Sequence, residues 1–195
     1  MSTEITKAQD EVSAGLITNR ASTEGVGAGG VFTVTCTGPD GVEKWSDSFH
    51  NLVVNEGLKD MNGKYFKGSG YTAAWYLGLV DGATVPSYDA GDTLASHNGW
   101  DELVPGTDYT GNRIAVTFNA GSPTLADLSV VTNSTAPSAF PMLVNGTTVA
   151  GALLSSVSSG TSGILFSVGS FTGGNKSVDS GDTLNVTYTF SLDAV

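Results

Sequence analysis

Residues 184–192 alternate without a break: Leu184, Val186, Tyr188, Phe190 and Leu192 fall on one face, and Asn185, Thr187, Thr189 and Ser191 on the other. A period of two belongs to an extended strand, whereas a helix would scatter both sets around its circumference. A strand divided in this way needs a second layer against its apolar side. The chain is therefore expected to build layered β structure, with this strand's polar face in water or under a partner. Composition agrees: 26 glycines and abundant Ser and Thr, with only 14% charged residues, are unlike a Lys/Glu/Leu-rich helical protein or a highly charged disordered chain. A chain of 195 residues can bury one core without staples.

The same reading extends along the chain. Residues 31–37 are β-branched and aromatic, Pro39-Asp40-Gly41 is a turn signal, and 44–54 resumes the apolar pattern, so a hairpin is predicted. Residues 55–66 predict the one helix, with Asn55 as its N-cap, Glu56 in the first turn and Leu58, Met61 and Tyr65 as its apolar stripe; Gly57 and Gly63 weaken it. Residues 71–80 are apolar on both faces and read as a central strand lying under that helix, with Trp75 and Tyr76 in the core. A long connection follows over 81–108, where 92–97 is expected to form a short helical turn; a loop of that length inside a domain usually serves function or an interface. Further strands are expected at 113–119, 125–132, 138–143, 148–157, 164–171 and 183–192. Gly, Pro, Asn and Ser clusters divide them at the spacing of an antiparallel β-sandwich, Ig-like or jelly-roll-like. Gly-Asp-Thr-Leu occurs at both Gly91 and Gly181, too short a match to define a repeat.

The N-terminal part reads differently. Ile5, Val12 and Leu16 have a roughly helical spacing on a thin apolar face, and Gly25 to Gly30 contributes four glycines in six residues. Residues 1–30 are accordingly expected to be a flexible arm and hinge, and 31–195 the sandwich domain. The start, Met-Ser-Thr-Glu-Ile-Thr-Lys, lacks the basic then apolar order of a secretory signal, so secretion by that route is not expected.

Charge narrows the partners. Eight basic against 19 acidic residues give a net charge of −11, which disfavours attraction to phosphate backbones and anionic lipid, so neither nucleic acid nor membrane is an expected partner. Residues 68–195 hold only Arg113 and Lys176 against ten acids, while the segment 1–67 is nearly balanced at −3. The single cysteine, Cys36, excludes an intramolecular disulfide, and its place inside a predicted strand makes it a packed side chain rather than a reactive thiol.

Residues capable of chemistry are few. Asp92, Ser96 and His97 are the one combination suggesting a nucleophilic triad, but adjacent Ser and His side chains diverge and no Gly-x-Ser-x-Gly elbow is present; a turn in which Asp92 holds backbone amides and His97 packs on a neighbour is expected instead. His50, between Phe49 and Asn51 in a strand, reads as structural. Asp89, Asp92, Asp101 and Glu102 could supply paired carboxylates for glycoside cleavage, with Trp100 the aromatic best placed to be exposed for stacking or an interface. Asp89 with Asp92, or Asp179 with Asp182, could offer calcium a weak set of oxygens, although neither matches the helix-loop-helix pattern. No cofactor and no catalytic residue are expected. The sequons at Asn133, Asn145, Asn175 and Asn185 are read as chance products of a Ser/Thr-rich chain.

Four blocks in order, Asn51-Leu52-Val53-Val54-Asn55-Glu56-Gly57-Leu58, Trp75-Tyr76-Leu77-Gly78-Leu79, Asp92-Thr93-Leu94-Ala95-Ser96-His97-Asn98-Gly99-Trp100-Asp101-Glu102 and Gly181-Asp182-Thr183-Leu184-Asn185-Val186-Thr187-Tyr188, resemble small virion structural proteins of tailed bacteriophages, including head decoration or cement proteins. The resemblance spans about residues 49–190 and implies a non-enzymatic particle component. The expected role is capsid decoration: a protein made in the host cytoplasm that sits on the outer head surface, bridges capsomers, contacts the major capsid protein, and clusters as a dimer or trimer. A tail, neck or fibre-base component and a carbohydrate-binding virion protein are the alternatives. Ile5, Val12, Leu16, His97 and Trp100 are the expected interface residues.

Overall fold

Among the described residues, eleven strands and one helix follow one another as β1 (Val26–Thr37), β2 (Glu43–His50), β3 (Leu52–Val53), α1 (Asn55–Phe66), β4 (Trp75–Asp81), β5 (Ile114–Val116), β6 (Leu128–Thr132), β7 (Ser138–Pro141), β8 (Thr147–Ser155), β9 (Leu165–Ser170), β10 (Lys176–Val178) and β11 (Thr183–Ala194). The computed structural model describes residues 26–70, 74–119 and 128–194. The expected arm and its residues Ile5, Val12 and Leu16 lie outside the described residues. Two antiparallel sheets stack as the expected sandwich. The first runs β2-β1-β11-β6 with β7 also on β11, and the second runs β3-β9-β8-β4-β5 with β10 on β8.

The period-two strand is the centre of the first sheet. β11 pairs with β1 from Val26↔Ala194 to Thr37↔Thr183, and its other edge carries β7 and then β6. Its inward residues Leu184, Val186 and Tyr188 are fully buried, as are Phe32, Val34 and Cys36 of β1. They meet Leu77, Leu79, Ala152, Leu154 and Phe166 of the second sheet in one core.

A second cluster lies on the far face of the second sheet. Val80, Ala150, Leu153, Leu165 and Val168 pack there with Val54, Leu94 and Trp100. Strands β4 and β8 are thus buried on both faces, which is why their sequences do not alternate. The cover over β4 is the 81–108 loop. The helix, expected there, instead sits on β9: Glu56 Oε2 accepts the Leu165 N–H at 2.9 Å, and a Cβ added at Gly57 would stand 2.6 Å from the Phe166 carbonyl oxygen.

Four other expectations change. The Gly25–Gly30 hinge is, from Val26 onward, the first part of β1, held by the ladder to residues 190–194; Gly30 is required because a Cβ there would lie 2.7 Å from the Tyr188 hydroxyl. The strand read over 44–54 breaks at Asn51, whose N–H donates to the Gly30 carbonyl (3.0 Å), and Leu52–Val53 crosses to the second sheet. Helix α1 has the predicted bounds, but Val54 is its N-cap and makes no side-chain capping bond, so Asn55 is the first helical residue. Its Gly57 contact also rotates the expected stripe: Met61 reaches the core while Leu58 (39% exposed) and Tyr65 (83%) face outward.

Candidate interaction surface

Several of the groups with chemical potential are bound into structure. In the 81–108 loop, Asp92 is 6% exposed and its Oδ2 accepts the Asp89 N–H (3.1 Å) and the Trp100 indole N–H (2.9 Å). His97 lies flat on the Trp100 ring, centroids 3.9 Å apart at 17°, with Nδ1 3.0 Å from the Thr93 carbonyl. This is the packed turn expected for Asp92 and His97. It is not helical: the Thr93 and Ser96 backbones exchange hydrogen bonds in a tight reversal. Trp100, expected to be exposed, is 3% exposed, because the loop uses it to close the second cluster; only His97, half-buried above it, reaches the surface.

The same turn recurs at 179–182. Asp182, 1% exposed, accepts the Asp179 N–H at Oδ2 (3.0 Å), as Asp92 accepts that of Asp89, and each later aspartate returns its own N–H to the earlier carbonyl at 3.0 Å. The third donor here is the Lys44 ammonium at 2.8 Å. Burial pushes the Asp182 carboxyl up, but the Lys44 bond and the Asp179 amide outweigh it and hold its pKa below the ordinary aspartate value. Burial and the adjacent Asp182 raise the Cys36 thiol to about 11. Both turns proposed for calcium therefore spend an oxygen on N–H or ammonium donors. Among the described residues no three His, Cys, Asp or Glu side chains are grouped to hold a metal.

Glu102 and Arg113 tie the end of the loop to the start of β5. Arg113 donates from Nε to Oε1 (2.8 Å) and from NH2 to Oε2 (2.6 Å), while NH1 donates to the Val157 and Gly160 carbonyls. Both side chains are largely buried. A carboxylate committed to a bidentate guanidinium is poorly placed for proton transfer.

An apolar surface among the described residues lies elsewhere, beside α1. Between the sheets, beside α1, a cleft of about 360 Å³ is walled by Met61, Trp75, Phe118, Val131, Phe166 and Phe190, and Leu154 and Tyr188 form its base. Phe166 packs edge-on against both Trp75 and Phe190, bridging the layers. The helix side carries the Asp60–Lys64 ion pair at 3.2 Å. Beyond it, Tyr65 (83% exposed) and Phe66 (78%) pack edge to face with each other at 4.9 Å. Two aromatic rings this exposed, next to an apolar cleft, constitute a patch of the kind that marks interaction surfaces. The periodicity of 55–66 contains the signal, since Leu58, Met61 and Tyr65 form one stripe.

Of the interface residues expected from sequence, two are described. His97 and Trp100 form one stack on the outer face of the second sheet, and Ile5, Val12 and Leu16 fall outside the described residues. No helix among the described residues is long and apolar enough to cross a membrane. Compared with family models, with curated proteins and with solved structures, the chain gives no match in any of the three.

Proposed function

We propose that the protein is a non-enzymatic structural component of a tailed-phage particle, a capsid decoration or cement protein that binds the outer surface of the head and stabilises contacts between capsomers. Its partners are the major capsid protein and further copies of itself. The observation that carries this reading is the pairing of an exposed aromatic helix end with an apolar cleft, in a molecule where Asp92, Asp182, Glu102, Arg113 and His97 are engaged in turns, a ring stack and ion pairs. Binding by burial of such a patch needs no catalytic group. The resemblance of four sequence blocks to phage virion proteins supplies the assembly in which the patch would be used.

Charge supports the orientation. At −11 the chain would be repelled from packaged DNA, and the strongly acidic 68–195 part suits the outside of a shell, leaving the nearly balanced segment 1–67, which includes α1, toward the capsid. Electron microscopy of particles carrying the protein tests this. Density in a lattice over the head, at a copy number comparable to that of the major capsid protein, is the expected result. A few copies at the neck, tail or fibre base would overturn the cement reading, and deletion of residues 1–24 without loss of head occupancy would remove the arm from the binding mechanism.

A further inference from the structure

Helix α1 turns one stripe of side chains away from the sandwich. Leu58 (39% exposed), Tyr65 (83%) and Phe66 (78%) stand on it with the exposed Lys59 and Asn62. Gly57 and Met61 seat the helix on the sheets from its other side, so this stripe has no part in the fold's own packing. With a turn of about 100° and a rise of about 1.5 Å per residue, the stripe is symmetric about Asn62. Leu58 and Phe66 flank Asn62 at about 40° and about 6 Å, on opposite sides and in opposite directions along the axis; Tyr65 and Lys59 do so at about 60° and about 4.5 Å. We propose that this stripe is a homodimer interface, in which α1 packs antiparallel on α1 of a second copy about a two-fold axis through Asn62. This rests on the reading that further copies of the chain are partners, and gives the surface through which two of them meet.

Chemistry and charge both favour a second copy as the occupant. A two-fold axis brings each position against the one equally far on the other side of it, so the stripe is matched to itself. Leu58 meets Phe66 of the second copy, aliphatic on aromatic. Lys59 meets Tyr65 of the second copy, an ammonium against an aromatic ring. Asn62 meets its own copy on the axis, where two amides can each donate and accept, and a polar pair at that point fixes the register. Charge selects the same surface: two copies at −11 repel, whereas Lys59, Lys64 and Lys67 outnumber Glu56 and Asp60 and make the helix locally basic, so approach through α1 meets the least repulsion. The close contact of Gly57 with Phe166 holds the helix in the rotation that points the stripe outward. Asp60, Met61 and Lys64, the helix side of the cleft, lie off the stripe, so the pairing leaves the cleft to a different partner. One helix on another buries less than the roughly 800 Å² per partner of a standard interface, which makes the dimer reversible and dependent on concentration.

Asn62→Cys in the purified full chain tests the axis. Helix axes about 10 Å apart, with Cα atoms about 2.3 Å off them, put the two Cα atoms about 5 Å apart, within disulfide range. Mild oxidation should convert this variant to a covalent dimer on a non-reducing gel, reversed by reductant. Native Cys36 is fully buried and does not compete. Asn55→Cys is the control: it is exposed on the same helix, but its two copies would stand roughly 21 Å apart, so it should stay monomeric. Sedimentation equilibrium of the parent chain from about micromolar to millimolar should show a reversible monomer–dimer exchange. Lys59→Glu and Phe66→Ser should each weaken it by about tenfold, with thermal denaturation unchanged because both side chains are exposed. A parent that stays monomeric throughout, an Asn62→Cys variant that does not cross-link, equal trapping at Asn55, or substitutions without effect would each overturn the proposal. No phage head is present in these experiments, so such a result removes α1 as the contact between copies, and microscopy of particles still judges the head-binding reading.

Discussion

Asp92 and Asp182, ninety residues apart, occupy the same position in two copies of one turn. Each buried carboxylate accepts the N–H of the aspartate three residues earlier, each is followed by Thr and a buried Leu, and each uses the same oxygen for one long-range donor. The Asp-x-Gly-Asp-Thr-Leu string is thus a reusable local device: it fastens a turn to whatever donor the surrounding fold supplies, an indole in one place and an ammonium in the other.

Asp182→Asn should destabilise the protein by about 1 kcal/mol at neutral pH, a modest figure because the Lys44 end of the pair is 40% exposed and screened. The folded carboxyl is held below its unfolded value, near 3.9, so its contribution is present above that pH and is lost as pH falls from about 4 through the folded value. Urea titrations of both proteins across this range should show the gap closing on the acid side. A gap unchanged at the acid end would exclude the charge as its source.

Trp100→Phe keeps most of the ring but removes the donor from buried Asp92, and should cost about 1 to 3 kcal/mol. His97→Ala removes only the outer ring of the stack, at about 0.5 to 1.5 kcal/mol. Thermal denaturation should rank the two in that order. The reverse order would show that the stack, not the indole–carboxylate bond, closes the loop.

Gly57→Ala and Gly63→Ala should have opposite signs although both replace a helical glycine. Alanine favours the helix by about 1 kcal/mol at either site. At Gly57 the new Cβ would press to 2.6 Å from the Phe166 carbonyl oxygen, whereas at Gly63 it meets only the Ser69 hydroxyl at 3.1 Å. Chemical denaturation should find the first variant less stable and the second more stable than the parent; two stabilised variants would mean that α1 does not rest on β9 through Gly57.

Arg113→Ala leaves Glu102 mostly buried without its partner and should cost about 3 to 5 kcal/mol. Arg113→Lys retains the charge but not the fork, and should fall between. Limited proteolysis should open the Ala variant first within 81–108; cleavage elsewhere first would separate the ion pair from the loop.

Cys36 should resist thiol reagents in the native protein at mildly alkaline pH, since burial and Asp182 raise its pKa to about 11. Rapid labelling without denaturant would show that the end of β1 next to Lys44 opens readily.

What could be read in the sequence was what neighbours along the chain decide. The hairpin turn, the bounds of α1, the alternation of β11 and the burial of Cys36 each follow from a few consecutive residues. Trp100 was misjudged because Gly99 and Asp101 give it a polar setting, while its partner Asp92 is brought to it by the path of the loop. Residues 26–30 look like a hinge because glycine carries no pattern; they become strand because β11 offers a ladder and Tyr188 needs the space above Gly30. The orientation of α1 depends on a close backbone approach at Gly57, which periodicity treats as a weakness. The candidate surface was hidden for the same reason, since periodicity joins Tyr65 to Met61 in one stripe and does not show that Tyr65 lies outside the core.

The position of β11 has a consequence for biosynthesis. It is the central strand of the first sheet and follows that sheet's other strands in chain order, so β1 with β2 on one side and β6 with β7 on the other have no ladder to join until it emerges. Nascent chains would hold the β1–β2 hairpin with an open edge until β11 emerges, and completion of the sandwich is expected to be a slow event dominated by contacts between distant parts of the chain. Any truncation ahead of Thr183 removes the shared strand of the whole layer, not a single edge.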